Sequence, residues 1–260
     1  MQSGLKEAIK MKIANNCYAV TGLYYYPPWT TNAGFITGDK MTLVIDSGFG
    51  IMSAQTIYGY ATAVKPGNKI ALINTEKHLD HTGGDCYFKD KGADIYGHSK
   101  INNTQKDLID SFEDFGGAIS NAIRKKAGEG SIAFENTSIC NPDKKIDAEF
   151  SIDLGGGAAR IILTPGHTDT NISIYNEKDR VLYCGDCLLP RFIPGLEGGG
   201  IKEWKTWISS LNKIAGIDID IIVPGHGNII SGRENISKEI ERLKYIITAA
   251  ISNNKAPTIL

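Results

Sequence analysis

The 260-residue chain has only five cysteines, no apolar run of membrane-spanning length and almost no net charge. Five is an odd number, so the cysteines cannot all pair internally, and their density is far below that of a disulfide-stapled scaffold. Lys+Arg 28 against Asp+Glu 29 leaves a formal charge of -1, which gives no field to draw in nucleic acid or an acidic surface. The one compact basic run, Arg124 to Lys126, reads as a solvated helix end. Met1 to Ala14 lacks the apolar core and cleavage site of an export signal, so the expected location is the cytoplasm. No Pro/Ser-rich linker, low-complexity tract or internal repeat divides the chain, and one domain over 1–260 is expected. What remains, 42% apolar and 22% charged residues with 29 glycines, is the composition of a turn-rich globular protein.

Hydrophobic patterning gives two series of short strands with helices between them. Tyr18 to Leu23, Ala33 to Thr37 and Met41 to Ile45 read as a β-meander, followed by a helix from Ile51 to Val64 that Pro66-Gly67 stops. Lys69 to Ile73 is a buried strand, Ala93 to Tyr96 another, and residues from about 100 to 147 form a mainly helical insertion. Strands at Glu149 to Asp153, Ala158 to Leu163, Asn171 to Tyr175 and Val181 to Tyr183 come next. A helix over Lys202 to Ala215, a strand over Ile219 to Val223 and a helix over Glu234 to Ile251 complete an α/β chain.

Histidine is scarce as well, at five, and four of the five stand in loops directly after predicted strands. His78 and His81 follow Lys69 to Ile73, His167 follows Ala158 to Leu163, and His226 follows Ile219 to Val223. Core histidines would not distribute that way. Small or rigid neighbours surround them, in Pro165-Gly166-His167 and Pro224-Gly225-His226-Gly227, and make tight turns that aim a side chain inward. Asp186 sits in the same way within Cys184-Gly185-Asp186-Cys187. Imidazole and carboxylate together suit zinc, iron or manganese. Six or seven such ligands exceed what one ion takes, so two are expected.

The segment Glu76-Lys77-His78-Leu79-Asp80-His81 resembles the His-x-His-x-Asp-His motif of the metallo-β-lactamase superfamily, and the resemblance runs over nearly the whole chain. It implies a four-layer αββα sandwich. It also implies that His78 and His167 hold a first metal, that Asp80, His81 and His226 hold a second, and that Asp186 bridges them. Asp46, ending Leu43-Val44-Ile45-Asp46, resembles the family's structural aspartate. The departure is Glu76, which stands where the family's first histidine is usual. It is either a harder ligand that favours iron or manganese, or a glutamate that only orients a ligand histidine.

The cofactor expected from this pattern is a pair of divalent ions, zinc first, with manganese or iron as alternatives. Such an ion lowers the pKa of water from 15.7 to roughly 7, so no serine or cysteine nucleophile is required. The expected reaction is hydrolysis of an ester, thioester, lactone or amide in a small molecule, with Asp80 orienting the attacking water. Tyr25, Tyr26 and Trp29, within Tyr24 to Trp29, are the expected substrate wall. Cys184 and Cys187 form a CxxC that Asp186 interrupts, and it is read as non-redox; His98 is read as lying past a strand end and outside the ligand loops. The competing functions are an iron-dependent oxidoreductase of the same fold and a non-catalytic metal sensor. Neither a nucleic-acid nor a membrane partner is expected, and the oligomeric state is not legible.

Overall fold

Two six-stranded sheets carry the chain, and alternation along each strand sends one set of side chains between the sheets and the other set under helices. The computed structural model describes residues 11–23, 30–117, 136–192, 194–196 and 199–256. The first sheet runs β1 (Cys17–Leu23), β2 (Thr31–Thr37), β3 (Met41–Ile45), β4 (Lys69–Ile73), β5 (Asp94–His98), β6 (Lys144–Ile146) in spatial as in chain order. Its first two pairings are antiparallel and the rest parallel. Ile36, Leu43, Ile45, Ala71 and Ile73 face the second sheet. Their neighbours Phe35, Val44 and Leu72 face helices α1 (Ile51–Val64) and α3 (Asp85–Asp90), where Ala54, Ile57, Ala61 and Phe88 meet them. A short helix α2 (Leu79–Thr82) precedes α3.

The second sheet is built from β7 (Phe150–Asp153), β8 (Ala158–Leu163), β9 (Ile172–Asn176), β10 (Val181–Gly185), β11 (Ile221–Pro224) and β12 (Ile230–Ser231). Only β10 and β11 are parallel. The crossover between them contains helix α5 (Ile201–Ala215), whose Trp204, Trp207, Leu211 and Ile214 recur at helical spacing and are buried. Helix α6 (Arg233–Asn253) contributes Ile236, Ile240, Leu243 and Ile247 to the same outer layer, packed on Leu182, Cys184 and Ile222. The layers are therefore helix, sheet, sheet, helix, as the αββα expectation required.

Within the expected insertion, helix α4 (Gln105–Gly117) takes the first part and residues 118–135 lie outside the described residues. Lys144–Ile146, expected within the helical stretch, is instead the edge strand β6, paired with Tyr96 to His98. Three residues with two exposed lysines carry too little period to announce a strand. His98, expected beyond its strand, is the last residue of β5. The expected substrate wall, Tyr25, Tyr26 and Trp29, also lies outside the described residues.

Candidate metal centre

The C-terminal ends of β4, β8, β10 and β11 converge at one edge of the two sheets, and each delivers its loop there. After β4 come Glu76 and His78, and helix α2 then places Asp80 and His81 within one turn. His167 follows β8, Asp186 follows β10, and His226 follows β11. The loops are stitched across the sheets: Ile172 N–H donates to the Thr75 carbonyl, and the Asn32 side chain donates to the carbonyls of Pro224 and Gly227.

All seven predicted ligands come together. Among the described residues, three overlapping triads have ligand atoms within 4.8 Å of one another: Glu76, His78 and His167; Asp80, His81 and His226; and Glu76, His81 and Asp186. Glu76 Oε1 lies 3.1 Å from His78 Nδ1, and His167 Nε2 lies 3.2 Å from the same nitrogen. On the other side His226 Nε2 is 3.0 Å from Asp80 Oδ2 and 3.3 Å from Asp186 Oδ2. Asp186 reaches both groups, with Oδ1 3.5 Å from His81 Nε2 and Oδ2 3.6 Å from His167 Nε2. Glu76, His81 and Asp186 form a buried floor, while the His78 side chain is 45% exposed and marks the open side.

Two of the imidazoles are fixed through their far nitrogens. His81 Nδ1 is 2.9 Å from Asp46 Oδ2, and His226 Nδ1 donates to the Thr30 carbonyl at 2.9 Å, so each turns its Nε2 lone pair to the centre. Asp46 is itself held by the backbone N–H and hydroxyl of Thr75, both at 2.7 Å, as the resemblance implied for a structural aspartate.

The electrostatics ask for positive charge. The charge of Glu76 pushes the His78 imidazole up to about 9. Burial opposes charging His226, yet Asp186 and Asp80 outweigh it and raise that ring to about 11. Burial likewise opposes ionising Asp80 and Asp186, but the neighbouring histidines hold both below the ordinary carboxylate range. Glu76 Oε2, His81 Nε2 and Asp186 Oδ1 are buried without a hydrogen-bond partner among the described residues. Buried, unpartnered donor atoms of this chemistry, in an acidic pocket that draws protons onto its histidines, fit divalent cations.

The glycines work by close approach. A Cβ on Gly225 would stand 2.1 Å from Asp186 Oδ1 and 2.6 Å from His81 Cε1, and one on Gly166 would stand 2.3 Å from Trp207 Cγ. Neither residue has a positive φ. Cys184 and Cys187 are fully buried, and burial raises both thiols, the latter to about 12, which suits packing and not redox exchange.

Asp85 was not anticipated. It is fully buried beneath the metal loop, and its Oδ1 accepts from Ser47 Oγ at 2.6 Å and Asn74 Nδ2 at 3.0 Å. The Ser47 backbone N–H and the Asn74 side chain donate to the His81 carbonyl, so Asp85 supports the turn that carries His81. An acid directly after Gly83-Gly84 was the only sign of it in the sequence. Burial pushes the Asp85 carboxyl well above its ordinary value, so the folded state holds the proton more tightly than the unfolded chain. Its contribution to stability is complete below about pH 4 and is lost as pH rises toward the folded value. Asp85→Asn has no such proton to lose, and the stability difference between variant and native protein grows in the variant's favour from about pH 4 upward in urea melts.

The family model described as the metallo-beta-lactamase superfamily matches residues 26–226. The chain belongs to the metallo-β-lactamase superfamily. A superfamily structure from Thermus thermophilus is 21% identical, with a TM-score of 0.65 over 92% of this chain and 81% of that one. A metallo-beta-lactamase from Pontibacter korlensis is 18% identical, with a TM-score of 0.63 over 90% and 97%. Among curated relatives, a linear primary-alkylsulfatase from a Pseudomonas species is 23% identical over 79% of this chain and 43% of its own length. An atrochrysone carboxyl ACP thioesterase from Aspergillus fumigatus is 25% identical over 82% and 56%. A hydroxyacylglutathione hydrolase from Francisella tularensis subsp. novicida is 30% identical over 34% and 35%. The matches thus span about half or less of these relatives' lengths. No described helix is long and apolar enough to cross a membrane.

Proposed function

We propose that this chain is a metal-dependent hydrolase with a dinuclear centre, acting on an ester, thioester, lactone or amide bond of a small molecule. The observation that carries the proposal is the convergence of Glu76, His78, Asp80, His81, His167, Asp186 and His226, with buried ligand atoms left unpartnered. Relatives named as a thioesterase, an alkylsulfatase and a hydroxyacylglutathione hydrolase support the reaction class. His78 and His167 with Glu76 would hold one cation, Asp80, His81 and His226 the other, and Asp186 would serve both. When bound there, two divalent cations would supply Lewis acidity and a water of lowered pKa.

This chain's own residues do the rest. Asp80 is kept ionised at neutral pH, so its carboxylate accepts a hydrogen bond from the attacking water and orients it. His226 Nε2, 3.0 Å away, fixes the position of that carboxylate. Substrate enters over the exposed edge of His78, because the floor is closed by Glu76, His81 and Asp186. Tyr25, Tyr26 and Trp29 are proposed as the wall that binds its apolar part.

Asp80→Ala is the direct test: turnover of activated esters and thioesters is abolished while the melting temperature of the metal-free protein stays nearly native. Full activity in that variant would refute the mechanism. Elemental mass spectrometry of protein purified without added metal decides the cofactor. Two zincs or two manganeses per chain support the hydrolase, one iron supports oxidoreductase chemistry on the same fold, and none supports the sensor.

A further inference from the structure

We propose that Glu76 is a second bridging carboxylate, shared with Asp186 between the two cation sites and not confined to the first; this rests on the dinuclear reading above. Glu76 belongs to two of the three ligand triads, one with His78 and His167 and one with His81 and Asp186. Its Oε1 is 3.4 Å from His81 Nε2, on the second side, and 3.7 Å from His167 Nε2, on the first. A ligand of the first cation alone has no reason to stand at least as close to the second group's histidine as to one of its own.

The other oxygen strengthens the assignment. Glu76 is fully buried, yet Oε2 has no hydrogen-bond partner among the described residues. Leaving one oxygen of a buried carboxylate unmet is costly, and a cation bound by that oxygen would remove the cost. Chemistry separates the residue from the histidine usual in the superfamily: an imidazole offers one lone pair to one ion, while a carboxylate offers two oxygens and can serve two. Glu76 also brings a negative charge and a harder donor, which moves the pair of sites toward manganese or iron relative to an imidazole. The replacement is therefore a change in how the two sites are joined.

The test titrates Mn(II) into metal-free protein and counts free ion by its EPR signal, which reads binding and not activity. Native protein binds in two steps. Glu76→Gln, nearly the same shape without the charge, raises both dissociation constants by about ten-fold or more. Glu76→His restores one step to near the native value and leaves the other weakened, because a ring nitrogen serves one ion. Asp80→Asn, whose residue belongs to one triad, weakens one step only and shows that the steps can be told apart. Circular dichroism and melting of the metal-free variants confirm that each is folded. Weakening of a single step in Glu76→Gln, or recovery of both in Glu76→His, would overturn the bridging role and leave the dinuclear centre standing. One binding step in the native protein, with Mn(II) by EPR and with Zn(II) by titration calorimetry, would overturn both.

Discussion

Gly225→Ala is expected to strip the centre of metal and to cut turnover at least about 100-fold, although it changes no ligand. Its Cβ would stand 2.1 Å from Asp186 Oδ1 and 2.6 Å from His81 Cε1, so at least one of these side chains must move. Displacement of a reacting group by about 1 Å costs on the order of 100-fold in rate. Overpacking of a buried contact adds about 1–3 kcal/mol of lost stability. The surroundings cannot yield easily, because the Gly225 N–H and carbonyl are both bonded, to the Gly185 carbonyl and the Asn32 N–H. Gly59→Ala is the matched control. Gly59 lies inside α1 with open space where a Cβ would go, and there the methyl group should stabilise the helix by about 0.5–1 kcal/mol. Elemental analysis, kcat/KM and urea melts on the two variants make the comparison; equal metal content in both would show that the close approach at Gly225 is not needed.

Asp46→Asn should lower metal affinity about 10–100-fold with the backbone undisturbed. Asp46 has a φ of 61°, a conformation asparagine tolerates nearly as well, so the substitution adds no strain. The carboxylate keeps the proton of His81 on Nδ1 and frees Nε2 for the centre. An asparagine that still accepts the Thr75 N–H offers its amide nitrogen to that ring. The ring must then accept at Nδ1, and its proton moves to Nε2, where it blocks a cation. Metal titration, with histidine tautomers assigned by NMR, checks this; an unchanged tautomer with weakened binding would point to packing instead.

Much of the architecture was legible because apolar period and turn residues agree. Strands β3, β4 and β8 and helix α1 have the limits expected from sequence, and the remaining long elements differ by a few residues at their ends. Helices α2 and α3 escaped, at four and six residues too short to show a helical period, and β6 and β12 were shorter still. The convergence of the candidate ligands was legible because four loops after four strands each presented a small residue and a His or Asp. Glu76 could be placed near the centre but not described further, since its full burial depends on how two sheets dock. Asp85, and Asn32 across the sheet interface, stayed hidden for the same reason: their partners lie 10 to 195 residues away along the chain.

Every one of the three ligand triads draws on both sheets. Glu76, His78, Asp80 and His81 come from the first, and His167, Asp186 and His226 from the second. A cation held by any triad would therefore be a rivet between two layers that also meet through apolar contacts such as Ile45, Ile73, Ile174 and Val181 and through the hydrogen bonds of Asn32 and Ile172. By reciprocity, ion affinity and the cohesion of the sandwich are coupled quantities. A substitution deep in the inter-sheet layer, far from any ligand, then shifts metal occupancy, and chelation loosens amide protons along the facing strands before the outer helices feel it.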